Sequence, residues 1–182
     1  DDANDSITGG SGADILNMTL TAVNPALTVT GVETINVDWS AVGAAAFDAT
    51  NVDGATVNIS TSTFGFIGGL TITAAGDNTI NANSGMTGAL DVNGVTTGSV
   101  NSVASTGAVT VDAAAVAQAD ETVTYTDSGS ASAVTIGATN PFGEATVTTS
   151  TTGNVQVDSI TANVTADSST GTVTVADATG DV

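Results

Sequence analysis

The residues of this chain that could do chemistry are oxygen donors set among glycines. The stretch Gly9-Gly10-Ser11-Gly12-Ala13-Asp14-Ile15-Leu16 follows the pattern G-G-x-G-x-D-x-U, where U is a large aliphatic residue. Glycines let the backbone turn with positive φ and aim carbonyl groups inward. The aspartate supplies a carboxylate, a ligand that hard cations such as calcium prefer. The pattern predicts a calcium-binding turn that leads into a short strand, and a plain solvated turn is the alternative.

A weaker copy of the same unit precedes this turn. Asp5 lies nine residues before Asp14, and Ile7 lies nine residues before Leu16. The turn about eighteen residues further on, where a second coil would return to the same side, offers no carboxylate until Glu33. We therefore expect the metal ligands to come from Asp5, Asp14 and Glu33 with backbone carbonyls, or from residues upstream of Asp1. The glycines of the predicted site are Gly9, Gly10 and Gly12.

Other acids recur with a spacing that could place them together. Asp158, Asp167 and Asp177 are nine and ten residues apart. With two strands in each coil, Asp158 and Asp177 would lie in line on adjacent coils, with Asp167 opposite. Stacked carboxylates repel each other, and a bridging cation would stabilise them. The alternative is that these residues are solvated turn residues.

The charge of the chain excludes several classes of function. Its 182 residues include 19 Asp and Glu but no Lys, Arg or His, for a net charge of −19. No side-chain salt bridge is possible, and nothing neutralises phosphate, so the composition excludes nucleic acid as a partner and disfavours attraction to anionic lipid. A folded chain of this kind must spread its charge, sit in high salt or bind cations. We expect Ca²⁺ as the cofactor.

The composition also predicts that the chain is not an enzyme. Without His there is no Ser-His-Asp chemistry, and without Cys there is no disulfide and no thiolate metal site. A glycosidase could use two carboxylates alone, but the acids form no distinguished pair. Aromatic residues are only 3% of the chain, which leaves few platforms on which a sugar could stack.

Short strands recur along the chain with a regular step. Strand segments with two apolar residues flanking one central residue recur from Leu27-Thr-Val29 to Val173-Thr-Val175. Weaker segments, each marked by a single apolar residue, lie at Ile80, Val100, Val147 and Val164. The step is about ten residues, and Thr, Val and Ile favour strands. The prediction is an all-β chain folded as a β-solenoid, a parallel β-helix or β-roll. Two strand segments in each coil would give roughly seven coils and a rod some 30–35 Å long. An immunoglobulin-like β-sandwich is the alternative.

Two alanine-rich stretches interrupt the regular spacing of the strand segments. We expect these stretches to form one or two helical turns or longer loops. They cover residues 38–55 and 112–121, with Asp38 or Asp112 as the helix N-cap. No apolar run approaches the ~20 residues that would span a bilayer, so no membrane span is expected. We divide the chain into residues 1–20, the end of a calcium-binding β-roll, and residues 21–182, a Thr/Val/Ala-rich β-helix that is part of a longer chain.

At these residues the chain resembles a known group of proteins. The turn "ITGGSGADIL" is similar to the nonapeptide of repeats-in-toxin (RTX) calcium β-rolls. The following "GVETINV" resembles the "N-V/I-E-T-I/V-N-V" strand that often comes after the last nonapeptide in surface-layer proteins exported by type I systems. "ATVNIS", "GLTITAAGDNTINA" and "GAVTVDAAA" are similar in style, but the likeness is specific only over about residues 4–38.

The resemblance implies a secreted, extracellular structural protein at the cell surface. Such a protein would assemble with copies of itself, through calcium, into a surface layer, a sheath or a fibre. Two other functions stay open: an adhesin stalk, and a solenoid module that binds ice or a cell-surface glycan through its outward Thr residues.

Overall fold

The computed structural model describes residues 6–20, 28–40, 45–52, 54–61, 69–73, 75–82, 88–102, 107–114, 120–127, 133–150, 153–166 and 171–176. These residues form strands and no helix. The strands are β1 Ser6–Thr8, β2 Ile15–Leu20, β3 Thr28–Thr30, β4 Thr34–Trp39, β5 Ala45–Asp48, β6 Thr56–Ser60, β7 Leu70–Thr73, β8 Thr79–Ala82, β9 Leu90–Val95, β10 Thr97–Ser102, β11 Val109–Ala113, β12 Thr122–Asp127, β13 Val134–Ile136, β14 Phe142–Thr149, β15 Val155–Ala166 and β16 Val173–Ala176.

The strands stack in parallel as a β-solenoid. The even-numbered strands from β2 to β14 follow one another along one face, and the odd-numbered strands from β5 to β13 follow one another along a second face. The long strand β15 turns the corner between them: Val155–Val157 pairs with β13, and the part from Ser159 onward pairs with β14. Strands β1 and β3 form a separate parallel pair. The sandwich alternative is excluded for the described residues, because sandwich sheets are antiparallel.

The predicted rhythm of strands is confirmed. All the predicted strand segments from Val29 to Val175 lie in strands of the structure. Successive segments from Leu70 onward alternate between the two faces. Side-chain hydrogen bonds between neighbouring coils join residues 19, 22, 23 and 20 positions apart. Each coil therefore contains about two strand segments, as the sequence indicates, although the number of residues in a coil varies.

The core is a stack of small inward side chains. On β4 the pattern alternates between buried and partly exposed residues, with Ile35 and Val37 inside. Leu90 and Val92 on β9 fill the opposite wall and are fully buried. Each layer is covered only by the next coil, which is why a solenoid of this kind is stabilised through contacts between neighbouring repeats.

The helical turns expected in the alanine-rich stretches do not occur in their described parts. Ala45–Asp48 forms β5, which pairs with β7, because Phe47 is buried in the same stacked wall. Asp38 lies within β4, and Asp112 lies within β11 rather than at a helix start. The buried Asp112 carboxylate instead accepts the backbone N–H of Thr139 at 2.9 Å. Residues 41–44, 53 and 115–119 lie outside the described residues.

Candidate cation site

The glycine-rich turn holds its aspartate in a defined position. Asp14 Oδ2 accepts the backbone N–H of Gly10 at 2.6 Å, which closes the turn over Ser11 and Gly12. Gly12 has a φ of +125°, a conformation that L side chains rarely adopt. The Asp14 carbonyl then accepts the N–H of Thr34 at 3.2 Å, so that the turn leads directly into the ladder between β2 and β4. The predicted sequence of turn, acid and strand is therefore the structure observed.

Glu33 lies beside this turn on the next coil. Its Oε2 accepts the backbone N–H of Asp14 at 2.7 Å. Because Asp14 and Glu33 each precede the paired residues Ile15 and Thr34, they occupy the same position on adjacent coils. The structure thus brings the Glu33 carboxylate to the backbone of Asp14, the residue that the sequence named as its partner, and both side chains remain open to solvent in part or in full.

Close contact between two backbone segments explains why residue 9 is a glycine. Gly9 donates its N–H to the carbonyl of Thr30 at 2.8 Å. A Cβ added at Gly9 would lie 1.7 Å from the carbonyl oxygen of Gly31, and 2.9 Å from Asp14 Oδ2. Gly31 itself has a φ of +62°. Only glycine allows the two turns to stack at this distance.

The donor set at this turn suits a hard cation in part. Asp14 and Glu33 supply two carboxylates, each with one oxygen that accepts a backbone N–H and a second oxygen that has no such role in these contacts. Calcium takes six to eight oxygen ligands, which include carbonyls and waters. Within the described ranges, no group of three or more acidic residues is placed to hold a metal. The two carboxylates would therefore hold the ion together with carbonyls and water.

Of the remaining predicted ligands, only Asp158 lies among the described residues. Asp5 and Asp177, like Asp167, lie outside the described residues. Asp158 lies on β15 where that strand passes from one face to the other, and its register partner on β16 is Ala176, one position before Asp177. A cation bridge between Asp158 and Asp177 stays a prediction.

One ordered feature of the outer surface was missed in the sequence. Five asparagines form a column across β2, β4, β6, β8 and β10, and the amide nitrogen of each one after the first donates to the side-chain oxygen of the asparagine on the previous coil. The bonds, from Asn36 to Asn17, Asn58 to Asn36, Asn81 to Asn58 and Asn101 to Asn81, measure 2.8, 2.9, 2.8 and 2.7 Å. The recurring triplets Thr-Ile-Asn, Thr-Val-Asn and Ser-Val-Asn are the signal that could have revealed this column.

A second column, made of hydroxyl groups, lies beside the asparagine column. It occupies the outward position two residues earlier on each strand, and consists of Thr34, Thr56, Thr79, Ser99, Thr124 and Thr146. On the later coils Thr126 and Thr148 replace asparagine in the column. The two columns form a regularly spaced strip of uncharged hydroxyl and amide groups, with the carboxylates of Asp38 and Glu144 beside it on the same face.

An open groove of about 1000 Å³ runs along one corner of the solenoid. Its lining includes Thr28–Gly31, Ala49–Val52 and Thr96, and among the described lining residues the one carboxylate is that of Asp77. Asp77 Oδ1 accepts the N–H of Gly54 at 2.9 Å. The groove offers hydroxyl groups and backbone atoms rather than a catalytic cluster.

Comparisons with known proteins place no name beside these features. No family model, no curated protein and no solved structure matches the chain. In the part of the chain that the structure describes, no helix is long and apolar enough to cross a membrane.

Proposed function

We propose that this chain is a structural module of an extracellular surface assembly, a layer, sheath or fibre whose order depends on calcium. The observation that carries the proposal is the approach of Asp14 and Glu33 on adjacent coils of a solenoid that contains no positive side chain. In this proposal the module acts as a stiff spacer and performs no catalysis.

The architecture supports a role in assembly. A parallel stack grows by adding further strands to its two faces, and an unpaired strand edge is a template for such pairing. At one end of the described stack, Ile15 is 63% exposed, and Leu16 and Met18 are only partly buried. At the other end, Val173 and Val175 are also partly buried. Additional coils, from this chain or from a second copy, would cover the inward residues Leu16 and Met18 at one end and Val173 and Val175 at the other.

The charge gives calcium a physical role in that assembly. Two copies with a charge of −19 repel each other unless ions screen or bridge their carboxylates. A divalent cation at Asp14 and Glu33 would neutralise both carboxylates and hold the first coils together. Removal of the ion would leave the two acids in mutual repulsion at a strained, glycine-rich turn.

Electron microscopy of the purified protein, with calcium and then with a chelator, tests this function. We expect ordered sheets or fibres that disappear on chelation and return when calcium is restored. Asp14→Asn should raise the calcium concentration needed for assembly at least tenfold, whereas Asp91→Asn, which removes one outward charge from the opposite face, should not. Soluble monomers under every calcium condition would refute the proposal.

A second function is favoured by the flat surface of Thr and Asn on the even-numbered strands. Side chains there repeat at the spacing of stacked strands, about 4.8 Å, and the asparagine column holds them in place. Such a surface could bind an ordered lattice, ice in the first instance, or a glycan. Thermal hysteresis of the monomer would favour the ice-binding function, and a signal on a glycan array would favour the adhesin.

A further inference from the structure

A polar cluster lies inside the core, on the inward side of the even-numbered strands. Ser102, Asp127 and Thr149 occupy one register column on β10, β12 and β14. They are 1%, 4% and 1% exposed. The column continues positions that hold Val37, Ile59 and Ala82 on earlier coils, so an apolar wall becomes polar at this point.

The cluster has a fourth member that reaches it from the next inward position. Tyr125, the only tyrosine of the chain, is fully buried, and it follows the alternation of β12 that also turns Asp127 inward. Burial is the main factor that raises the pKa of Tyr125 well above its ordinary range. The Asp127 carboxylate raises that pKa further, and the Ser102 hydroxyl, which interacts with Tyr125 without reaching full hydrogen-bond geometry, lowers it. The strand register supplies the geometry: Tyr125 lies two residues before Asp127 on the inward side of β12, next to the position at which Ser102 pairs with Asp127.

Two of the hydroxyl groups in this cluster are not hydrogen-bonded to any residue that the structure describes. Thr149 Oγ1 donates to Asp127 Oδ2 at 3.2 Å. Ser102 Oγ and Tyr125 Oη, however, have no hydrogen-bond partner among the described residues. Buried hydroxyl groups are nearly always satisfied, so two unpartnered oxygens next to a buried carboxylate indicate a missing component.

The charge of the Asp127 carboxylate indicates what kind of ligand is missing from the cluster. A buried carboxylate that stays ionised is stabilised by hydrogen-bond donors and by a nearby positive charge, and no side chain of this protein can provide that charge. A water molecule would satisfy hydroxyl groups but would leave the charge in place. A divalent ion at a single carboxylate would replace a buried negative charge with a buried positive one. A monovalent cation balances one carboxylate and accepts hydroxyl oxygens as ligands.

We propose that the interior cluster of Ser102, Tyr125, Asp127 and Thr149 binds a monovalent metal cation, Na⁺ or K⁺. The Asp127 carboxylate provides the charge, and the three hydroxyl groups provide neutral oxygen ligands. The site is distinct from the surface turn of Asp14 and Glu33, and it does not depend on the function proposed above. The ion would join the consecutive coils of β10, β12 and β14 from the inside.

The test is a titration with Na⁺ or K⁺ that replaces tetramethylammonium at constant ionic strength and in the presence of a chelator. Constant ionic strength is needed because any salt screens the surface charge. We expect a saturable change in the near-ultraviolet signal of Tyr125 and a rise in the thermal midpoint. At a cation concentration of 100 times Kd, the folding equilibrium should shift about 100-fold toward the folded state.

Matched variants separate the site from general salt effects. Asp127→Asn should abolish the response to the cation, and Asp91→Asn, with the same change of charge on the outer surface, should retain it. Tyr125→Phe keeps the packed ring but removes one ligand, so it should weaken the response in the thermal midpoint at least fivefold. Tyr125→Phe also serves as the test if Asp127→Asn does not fold.

Three results would overturn the proposal. The first is an identical midpoint and Tyr125 signal in Na⁺, K⁺ and tetramethylammonium, which would indicate that Asp127 carries a proton. The second is an equal loss of response in Asp127→Asn and Asp91→Asn, which would indicate screening alone. The third is a saturable Tyr125 signal with Ca²⁺ but not with Na⁺ or K⁺.

Discussion

Replacing Asn58 by alanine removes an internal member of the asparagine column and two hydrogen bonds at once. Asn58 donates to Asn36 at 2.9 Å and accepts from Asn81 at 2.8 Å. A typical hydrogen bond contributes about 0.5–1.5 kcal/mol net. Because the column is only partly buried, water can replace part of this, and we expect Asn58→Ala to lower the free energy of unfolding by about 1–2 kcal/mol.

Two control variants make this value interpretable. Asn17 ends the described column and shares one bond of 2.8 Å with Asn36, so Asn17→Ala should cost about half as much. Asn163 is exposed on β15 and no asparagine flanks it in the ladder. Asn163→Ala should therefore change stability by less than about 0.5 kcal/mol, as is usual for a surface substitution.

Urea unfolding followed by the fluorescence of Trp39, the only tryptophan, measures these differences. In a chain of this length, 1 kcal/mol corresponds to about 2–4 °C in the thermal midpoint, which gives an independent reading. Equal destabilisation by Asn58→Ala and Asn163→Ala would refute the reasoning, since the column would then contribute nothing beyond a single exposed side chain.

Gly9→Ala should destabilise the first coils by about 1–3 kcal/mol, the usual cost of overpacking, because its Cβ would meet the carbonyl of Gly31. Gly10→Ala, whose Cβ would meet no atom closer than 3.9 Å, is the control in the same urea assay. Asp14→Asn should weaken calcium binding in titration calorimetry, and unchanged binding would remove Asp14 from the site. Stability should be lost as pH rises above 10.0, the ordinary pKa of tyrosine, because Tyr125 ionises in the unfolded chain before it ionises in the folded one. Tyrosinate absorbance follows this, and Tyr125→Phe should lack the alkaline loss.

Much of the fold could be predicted because strand formation here is a local property. Alternation of apolar and polar residues around Val57, Val109 and Val134 is readable within a few positions, and each of these residues is buried in a strand. Ala45–Asp48 was misjudged because alanine is a good helix former in isolation. In the folded chain its register with β7 outweighs that preference.

The proximity of the residues at the candidate surface site was predictable for a similar reason. Gly9, Gly10 and Asp14 lie in one short turn, and Glu33 is the first acid of the following coil. The interior cluster was not predictable in the same way. Asp127 follows Tyr125 in an ordinary alternating strand, and its burial is evident only when the alternation of β12 is set against the neighbouring coils.

The sequence by itself determined that the chain is made of short strands, that no salt bridge between side chains can form, and that an acidic glycine turn precedes the first long strand. These properties depend on residue types and on spacings of a few positions. Only the tertiary structure decided which residues stack, because coil lengths vary and each register is set by contacts between residues about twenty positions apart. Stacking at that distance forms the asparagine column, pairs Asp14 with Glu33, and places Asp127 inside the core.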